Sequence, residues 1–441
     1  MPANDRLVSN PPASRRDFLK TSAAAALAAG TLSSAAKLSH GFFTGADETI
    51  KVGFIGCGGR GTGAAKQALT ADDNIKLWAM GDAFEDRLES SLQTLQNDGS
   101  VGSKVDVPKE RRFVGFDAYQ KVIDSGVDVV LLTTPPQFRP IHIQAAVDAG
   151  VHIFAEKPVA VDAPGVRKVL AACEEAKKKK LSVVSGLCLR YHQGFQELVQ
   201  RVHDGAIGQI RLLQANDWRT GRWFKPRQPD WTDMYYQVRN WYNYTWVGGD
   251  FNVEQHVHYL DVCAWLMGNK YPTVAYGLGG RQVQTGAGSG NIYDHFAVVH
   301  EYDDGARLIS NCRQIPGCFN NISSHFLGTK GEAHLDEGGR GQWCESGGER
   351  WQFSGRAKNM YQVEHDLLMA SIRKGEPINN GEYQAKSTLL AIMGREACYT
   401  GQRITWDQMM NSKQDLSPPA YDWNVELPEP PVAMPGRTKF A

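Results

Sequence analysis

The side chains with most chemical capacity stand in two short runs of the sequence. "NVEQHVHYLD" (252–261) carries Glu254, His256, His258 and Asp261, and "AEKP" carries Glu156 and Lys157. Metal ligation, proton transfer to a substrate and plain surface polarity compete for the first run. Zinc is disfavoured, because His256 and His258 are only two apart and diverge by about 200° on a helix, whereas helical metal motifs use i, i+4 pairs. No metal site is expected. Glu254 and His258 are i, i+4 and would share one helical face. A carboxylate beside an imidazole sets its tautomer and raises its basicity, which suits a general base taking a proton from a secondary alcohol near neutral pH. Lys157 could donate to a hydroxyl oxygen, with Pro158 biasing its backbone toward an extended direction. The plain alternative is a salt-bridged lysine at a strand end.

A third run binds rather than reacts. Gly56-Cys57-Gly58-Gly59-Arg60-Gly61 supplies G-x-G-x-x-G between a predicted strand, "IKVGFIG", and a predicted helix, "GGRGTGAAKQAL". The glycines serve a tight turn, close backbone approach to a pyrophosphate and close packing of helix on strand. The helix N-terminus offers N–H groups and a positive dipole end to phosphates. Asp82 ends the next strand, where its carboxylate can accept from an adenosine ribose diol and would repel a 2′-phosphate. No arginine immediately follows it, so NAD is favoured over NADP.

These groups need elements to hold them. From Thr49 to Gly186 short apolar strands ("IKLWAMGD", "VDVVLLTTPP", "VHIFAEKP", "LSVVSG") alternate with helical runs ("EDRLESSLQTLQ", "IHIQAAVDAG", "PGVRKVLAACEEAKKKK"). That grammar implies a parallel sheet covered on both faces. Glu156 and Lys157 then sit at the carboxyl end of a strand, where ligands bind in open α/β sheets. After Leu187 the pattern becomes one helix ("YHQGFQELVQRVHDG"), an aromatic-rich irregular stretch, the helix of the opening motif, and alternating strands with hairpin signals such as Asp303-Asp304-Gly305. Two helices and a Pro-rich, extended tail follow. The expected boundaries are 1–45 for a signal and linker, 46–187 for the nucleotide domain, 188–415 for an α+β domain and 416–441 for the tail.

"TTPPQFRPIHIQAAVDAGVHIFAEKP" and "GGDFNVEQHVHYLD" resemble motifs of the glucose-fructose oxidoreductase / inositol dehydrogenase (Gfo/Idh/MocA) family, and the likeness runs from about Lys51 to Asp407. The resemblance implies an N-terminal doubly wound Rossmann domain, then an α+β domain with an open, mostly antiparallel sheet, and oxidation of a sugar or polyol in the cleft between them. It implies that His258 is the catalytic histidine, that Lys157 assists it, and that Glu254 stands where aspartate is common, as base partner or substrate ligand. Cofactor contacts are expected from Gly56, Cys57, Gly58, Gly59, Arg60, Gly61, Asp82, Thr134, Pro135, Glu156 and Lys157. His256 stands where glycine is common and is expected to narrow the pocket or cap the cleft. Asp261 reads as structural. Arg139 occupies a place where many members carry histidine; it and His142 are left without a role.

Between Trp218 and Trp246 lie ten aromatic residues, interleaved with arginines. Such a stretch fits a cleft loop that stacks on the C–H faces of sugars, or a subunit interface. Arg190, Tyr191, Trp218 and Arg239 are the candidate substrate ligands. The resulting reading is an NAD-dependent oxidoreductase acting on a secondary alcohol of a carbohydrate, with tightly held cofactor recycled between substrates. The alternatives are an NAD-dependent glycoside hydrolase working by transient oxidation and elimination, and a non-catalytic protein that binds NAD and sugar.

The composition of the 441-residue chain is that of an ordinary soluble protein, 42% hydrophobic and 22% charged, with 48 basic and 48 acidic residues. Nothing points to nucleic acid. "SRRDFLK" before "TSAAAALAAGTLSSAA" reads as a twin-arginine export signal with cleavage near Ala36, so a periplasmic or otherwise exported protein with no membrane anchor after export is expected. A homo-oligomer, dimer or tetramer, is the expected assembly. The scattered cysteines read as buried small hydrophobes.

Overall fold

The computed structural model describes residues 48–286, 288–336 and 341–441; the export segment lies outside them. Six strands, β1 (Ile50–Ile55), β2 (Ile75–Asp82), β3 (Arg112–Val114), β4 (Val129–Leu132), β5 (His152–Ala155) and β6 (Val183–Ser185), form one sheet. Its order is β3-β2-β1-β4-β5-β6 and every pairing is parallel. β4 and β5 are buried throughout, as strands covered on both faces must be. The strand order reverses between β1 and β4. That crevice, at the carboxyl ends, is where an open α/β sheet binds its ligand.

The second sheet has nine strands, β7 (Ile210–Arg219), β8 (Val274–Gly280), β9 (His295–Glu301), β10 (Arg307–Gln314), β11 (Asn321–Gly328), β12 (Gly331–Asp336), β13 (Trp343–Ser346), β14 (Glu349–Gln352) and β15 (Ile404–Thr405). Their order is β14-β13-β12-β11-β7-β10-β9-β8-β15. Among the described residues of this sheet only β7 and β10 pair in parallel. The Asp303-Asp304-Gly305 turn joins β9 to β10 with Gly305 at φ +83°. Strand β10 alternates buried and partly exposed positions along its length. One face therefore packs on helices while the other is more open.

The long helix Gly381–Thr400 is buried nearly all round and lies against β8 and β9 and the helix Ala163–Lys178 of the first domain. Its fully buried Arg395 pairs with Glu396 and donates to the carbonyls of Val161 and Gly249, at 2.8 and 3.0 Å. A buried guanidinium is tolerated only when its donors are satisfied. Here they join the first domain to the chain entering the "NVEQH" motif. The helix Met360–Lys374, which the sequence reading assigns to the second domain, returns to the first and packs on the helix Gly59–Thr70 and on β6.

The Pro-rich tail 416–441 runs without helix or strand. It leaves Asp162, whose Oδ2 accepts from Leu416 N, and passes Gln137, which donates to Ser417 Oγ and Tyr421 Oη at 3.0 Å each. It then crosses to the second domain, where Gln237 donates to Leu427 O and Tyr293 to Ala433 O. All eight cysteines are free; seven are buried and Cys318 is exposed.

Candidate active site

One cavity of about 490 Å³ runs along the carboxyl ends of the first sheet and under the second domain. It is lined at one end by Gly56, Gly58, Gly59 and Asp82 and at the other by Lys157, Glu254 and His258. The glycine turn divides its labour. Gly56 lies at φ +98°, and a Cβ there would stand 2.5 Å from Thr134 N. A Cβ on Gly61 would stand 2.2 Å from Gly56 O. Gly58 and Gly59 have nothing within 4 Å of a Cβ, so the space over the helix Gly59–Thr70 is open, and Gly58 caps that helix without a side-chain bond. An uncapped helix N-terminus facing open space fits the pyrophosphate of a dinucleotide.

Asp82 lines the same end. Its Oδ2 accepts from Cys57 N at 2.6 Å and its Oδ1 from Phe84 N at 2.9 Å, and burial raises its carboxyl above the usual range. Cys57 is buried and is not among the residues lining this cavity; its backbone N–H donates to Asp82. Arg60 lines the cavity, but its guanidinium is held by Glu156 (2.7 Å) and Gln67 (2.8 Å) over the ring of Tyr361. Thr134, Pro135 and Glu156 also line it.

At the reactive end the expected helix is broken. Phe251–Glu254 and Val257–Leu266 are separate helices with a turn at Gln255-His256. The cause is local and tertiary together. Asp250, at φ 79°, caps the first helix and accepts from Tyr293 N (2.9 Å), while His256 turns inward until its Nε2 meets Ser310 Oγ at 2.9 Å. His256 is fully buried, so it neither narrows nor caps the cleft.

The pairing of Glu254 with His258 is corrected as well. Glu254 takes Lys157 instead: Nζ reaches Oε1 at 3.0 Å and also donates to the Glu254 carbonyl. With its amide turned so that nitrogen faces the carboxylate and oxygen the guanidinium, Gln255 continues the chain, donating to Glu254 Oε2 at 3.3 Å and accepting from Arg219 at 3.2 Å. His258 keeps its buried Nδ1 without a hydrogen-bond partner among the described residues. Burial first, then the cations Lys157, Arg219 and Arg60, hold its pKa well below the usual imidazole range. The ring is therefore neutral, a proton acceptor beside an ammonium donor, rather than a base strengthened by a carboxylate.

Three of the four expected substrate ligands lie elsewhere. Arg190 forms a bidentate pair with Asp261 (2.7 and 2.8 Å), bonds Asn269 and stacks on Tyr383. Tyr191 donates to Asn380 Oδ1, and Trp218 packs under Arg313; none of these three lines the cavity. Arg239 does line it, at the Asp82 end, where it lies over Phe84 and pairs with Asp86. Asp261 also accepts from Ser387 and is structural.

Several cavity residues were missed. Trp223 and Trp241 belong to the flagged aromatic stretch, so composition pointed there without choosing between them. Tyr361 arrives from the distant helix Met360–Lys374 and had no sequence signal. Arg139 lines the wall with its guanidinium on the carbonyls of Thr134 and Pro158, its pKa lowered to about 10 by burial. It ties together the two turns that carry Pro135 and Lys157. His142 stacks on Tyr119 at 4.3 Å and is held neutral, with a pKa of about 3, by burial and by Arg139.

Residues 50–185 match the oxidoreductase family with an NAD-binding Rossmann fold, and residues 195–334 match the Gfo/Idh/MocA C-terminal domain. The chain belongs to the Gfo/Idh/MocA oxidoreductase family. Residues 12–31 match the twin-arginine translocation pathway signal sequence. A myo-inositol 2-dehydrogenase of Thermotoga maritima is 25% identical over 375 residues, covering 82% of this chain and all of that protein. A glycosyl hydrolase family 109 protein of Shewanella pealeana is 24% identical, covering 51% of each chain. Among solved structures, the aldose-aldose oxidoreductase of Caulobacter crescentus superposes with a TM-score of 0.62 at 19% identity, over 81% of this chain and all of that one, a likeness of fold.

Proposed function

We propose that this chain oxidises a secondary alcohol of a sugar, polyol or derivative, with His258 as general base and Lys157 as its partner. The reading rests on one observation: an ammonium from the end of β5 and a neutral imidazole from the second domain face the same cavity as the glycine turn. Gly58, Gly59 and Asp82 would hold a dinucleotide there, whose nicotinamide would supply the hydride acceptor. His258 receives the hydroxyl proton. Lys157 donates a hydrogen bond to the hydroxyl oxygen and stabilises the negative charge that grows on it as the proton leaves. Glu254 holds the ammonium in place. The relationship to a myo-inositol 2-dehydrogenase supports the substrate class.

NAD is the proposed cofactor rather than NADP, because a 2′-phosphate would meet the carboxylate of Asp82. The export signal supports a protein that works outside the cytoplasm and carries its dinucleotide with it. The test is direct. Purified enzyme is offered a panel of polyols, free sugars and aryl glycosides while nicotinamide absorbance and released aglycone are followed together. Reduced nicotinamide with a polyol or sugar is expected. Its absence across the panel in active, dinucleotide-loaded protein would refute the reading. Aglycone release without net reduction would instead establish hydrolysis by transient oxidation, which the likeness to a family 109 hydrolase keeps as the second reading.

A further inference from the structure

The segment 223–225 presents an aromatic surface where solubility alone would not put one. Trp223 is 43% exposed and Phe224 41%. Exposed indoles on mobile loops are common, but this backbone is fastened. Asn243 donates to Trp223 O at 3.1 Å, and Asn240 both accepts from Lys225 N (2.8 Å) and donates to Lys225 O (3.2 Å). Both asparagines are fully buried. The ring of Trp223 also leans on Trp241 and Tyr242, at 6.3 and 6.1 Å. A half-exposed indole held this way is preorganised, so a ligand that covers it loses little conformational entropy.

Its position identifies the ligand. Trp223 and Trp241 line the cavity that holds Lys157, Glu254 and His258. Tyr242 connects them to the reactive end: its hydroxyl accepts from Gln314 at 2.7 Å, and its pKa is raised by burial and then by the nearby Glu254 charge. The platform is therefore continuous with the catalytic groups and opens outward from them. A ring whose C–H face is apolar and whose edge is polar suits such a surface.

We propose that Trp223, backed by Trp241, forms an outer subsite for a second ring, so that the substrate is a glycoside rather than a free monocyclic sugar or polyol. The proposal rests on the carbohydrate reading above and deepens it. Glucose, galactose and N-acetylglucosamine are each compared with their p-nitrophenyl β-glycosides by calorimetric titration of the dinucleotide-loaded enzyme. At least one glycoside is expected to bind about tenfold more tightly than its free sugar, a stacking contribution of ordinary size. Trp223→Ala should bring that ratio to near unity and Trp223→Phe should restore most of it. No preference for any glycoside in the wild type, or a preference that survives Trp223→Ala, overturns the proposal. So does loss of bound dinucleotide or a changed sedimentation coefficient in Trp223→Ala, which would assign the indole to the cofactor or to a subunit contact. Glycoside preference without any nicotinamide reduction keeps the outer subsite and defeats the redox reading; reduction by free sugars with no such preference does the reverse.

Discussion

Trp423→Ala tests whether the C-terminal tail helps to hold the dinucleotide. The indole of Trp423 packs on Phe116 at 4.2 Å, on Phe84 at 5.3 Å and on Tyr235 at 5.4 Å. Phe84 and Phe116 line the cavity, and Phe84 N–H is one of the two backbone donors that orient Asp82. Truncating a core tryptophan costs about 3–5 kcal/mol, and aromatic contacts carry about 0.5–1.5 kcal/mol each beyond burial. Trp423 is only partly buried, so a loss of about 2 kcal/mol is expected for the fold. If all of it acts through Phe84 and Phe116, dinucleotide affinity falls by about 30-fold, since about 1.4 kcal/mol is a factor of ten. The assay is nucleotide retained after gel filtration, with Kd by titration and Tm on the same samples. A lowered Tm with Kd within about twofold of wild type would refute the coupling and leave the tail as plain packing.

Lys157→Met and His258→Ala should each lower kcat/KM by about 10²–10⁴-fold, and the double variant by less than the product, because the two act on one proton. The pH profile of the wild type should keep its activity well below the usual histidine range, since His258 is held neutral there; Lys157→Met removes one of the depressing charges, so the acid limb should move to higher pH. Acid unfolding is a separate expectation. His142, His256, His300 and His365 have folded pKa values lowered to about 3 by burial, so the unfolded chain binds more protons between the ordinary imidazole value and that point. Stability should thus be fully present above about pH 6.5 and fall as pH drops toward 3, with denaturant midpoints as the measure. Asp250, raised to about 6 mainly by burial, opposes this in sign, as do the carboxyls of Asp82, Asp128, Asp162 and Glu364, which burial also raises; His258 and the lowered carboxyls of Asp72, Asp86, Asp294 and Glu382 act in the same sense as the four histidines. Gly61→Ala should cost about 1–3 kcal/mol or abolish dinucleotide binding, because its methyl would meet Gly56 O and Thr133 Oγ1 at 2.2 and 2.5 Å; unchanged stability and affinity would show that the turn can widen.

What the sequence determined by itself was everything carried by neighbours along the chain. The run from Ile50 to Thr70 becomes strand, glycine turn and helix because apolar spacing and three conformationally free residues act within a few positions. The Asp303-Asp304-Gly305 hairpin follows from turn chemistry in the same way, and Pro158 after Lys157 marks a strand end. Only tertiary structure decided how the reactive side chains were shared out. Glu254 has His258 nearby in sequence but pairs with Lys157, 97 residues away; His256 breaks a helix to reach Ser310, 54 residues away; Arg190 gives its guanidinium to Asp261, 71 residues away. Local propensity is worth tenths of a kcal/mol per residue, whereas leaving a buried charge or imidazole unsatisfied costs several, so the partner is chosen by whichever distant group folding brings into the same dry space.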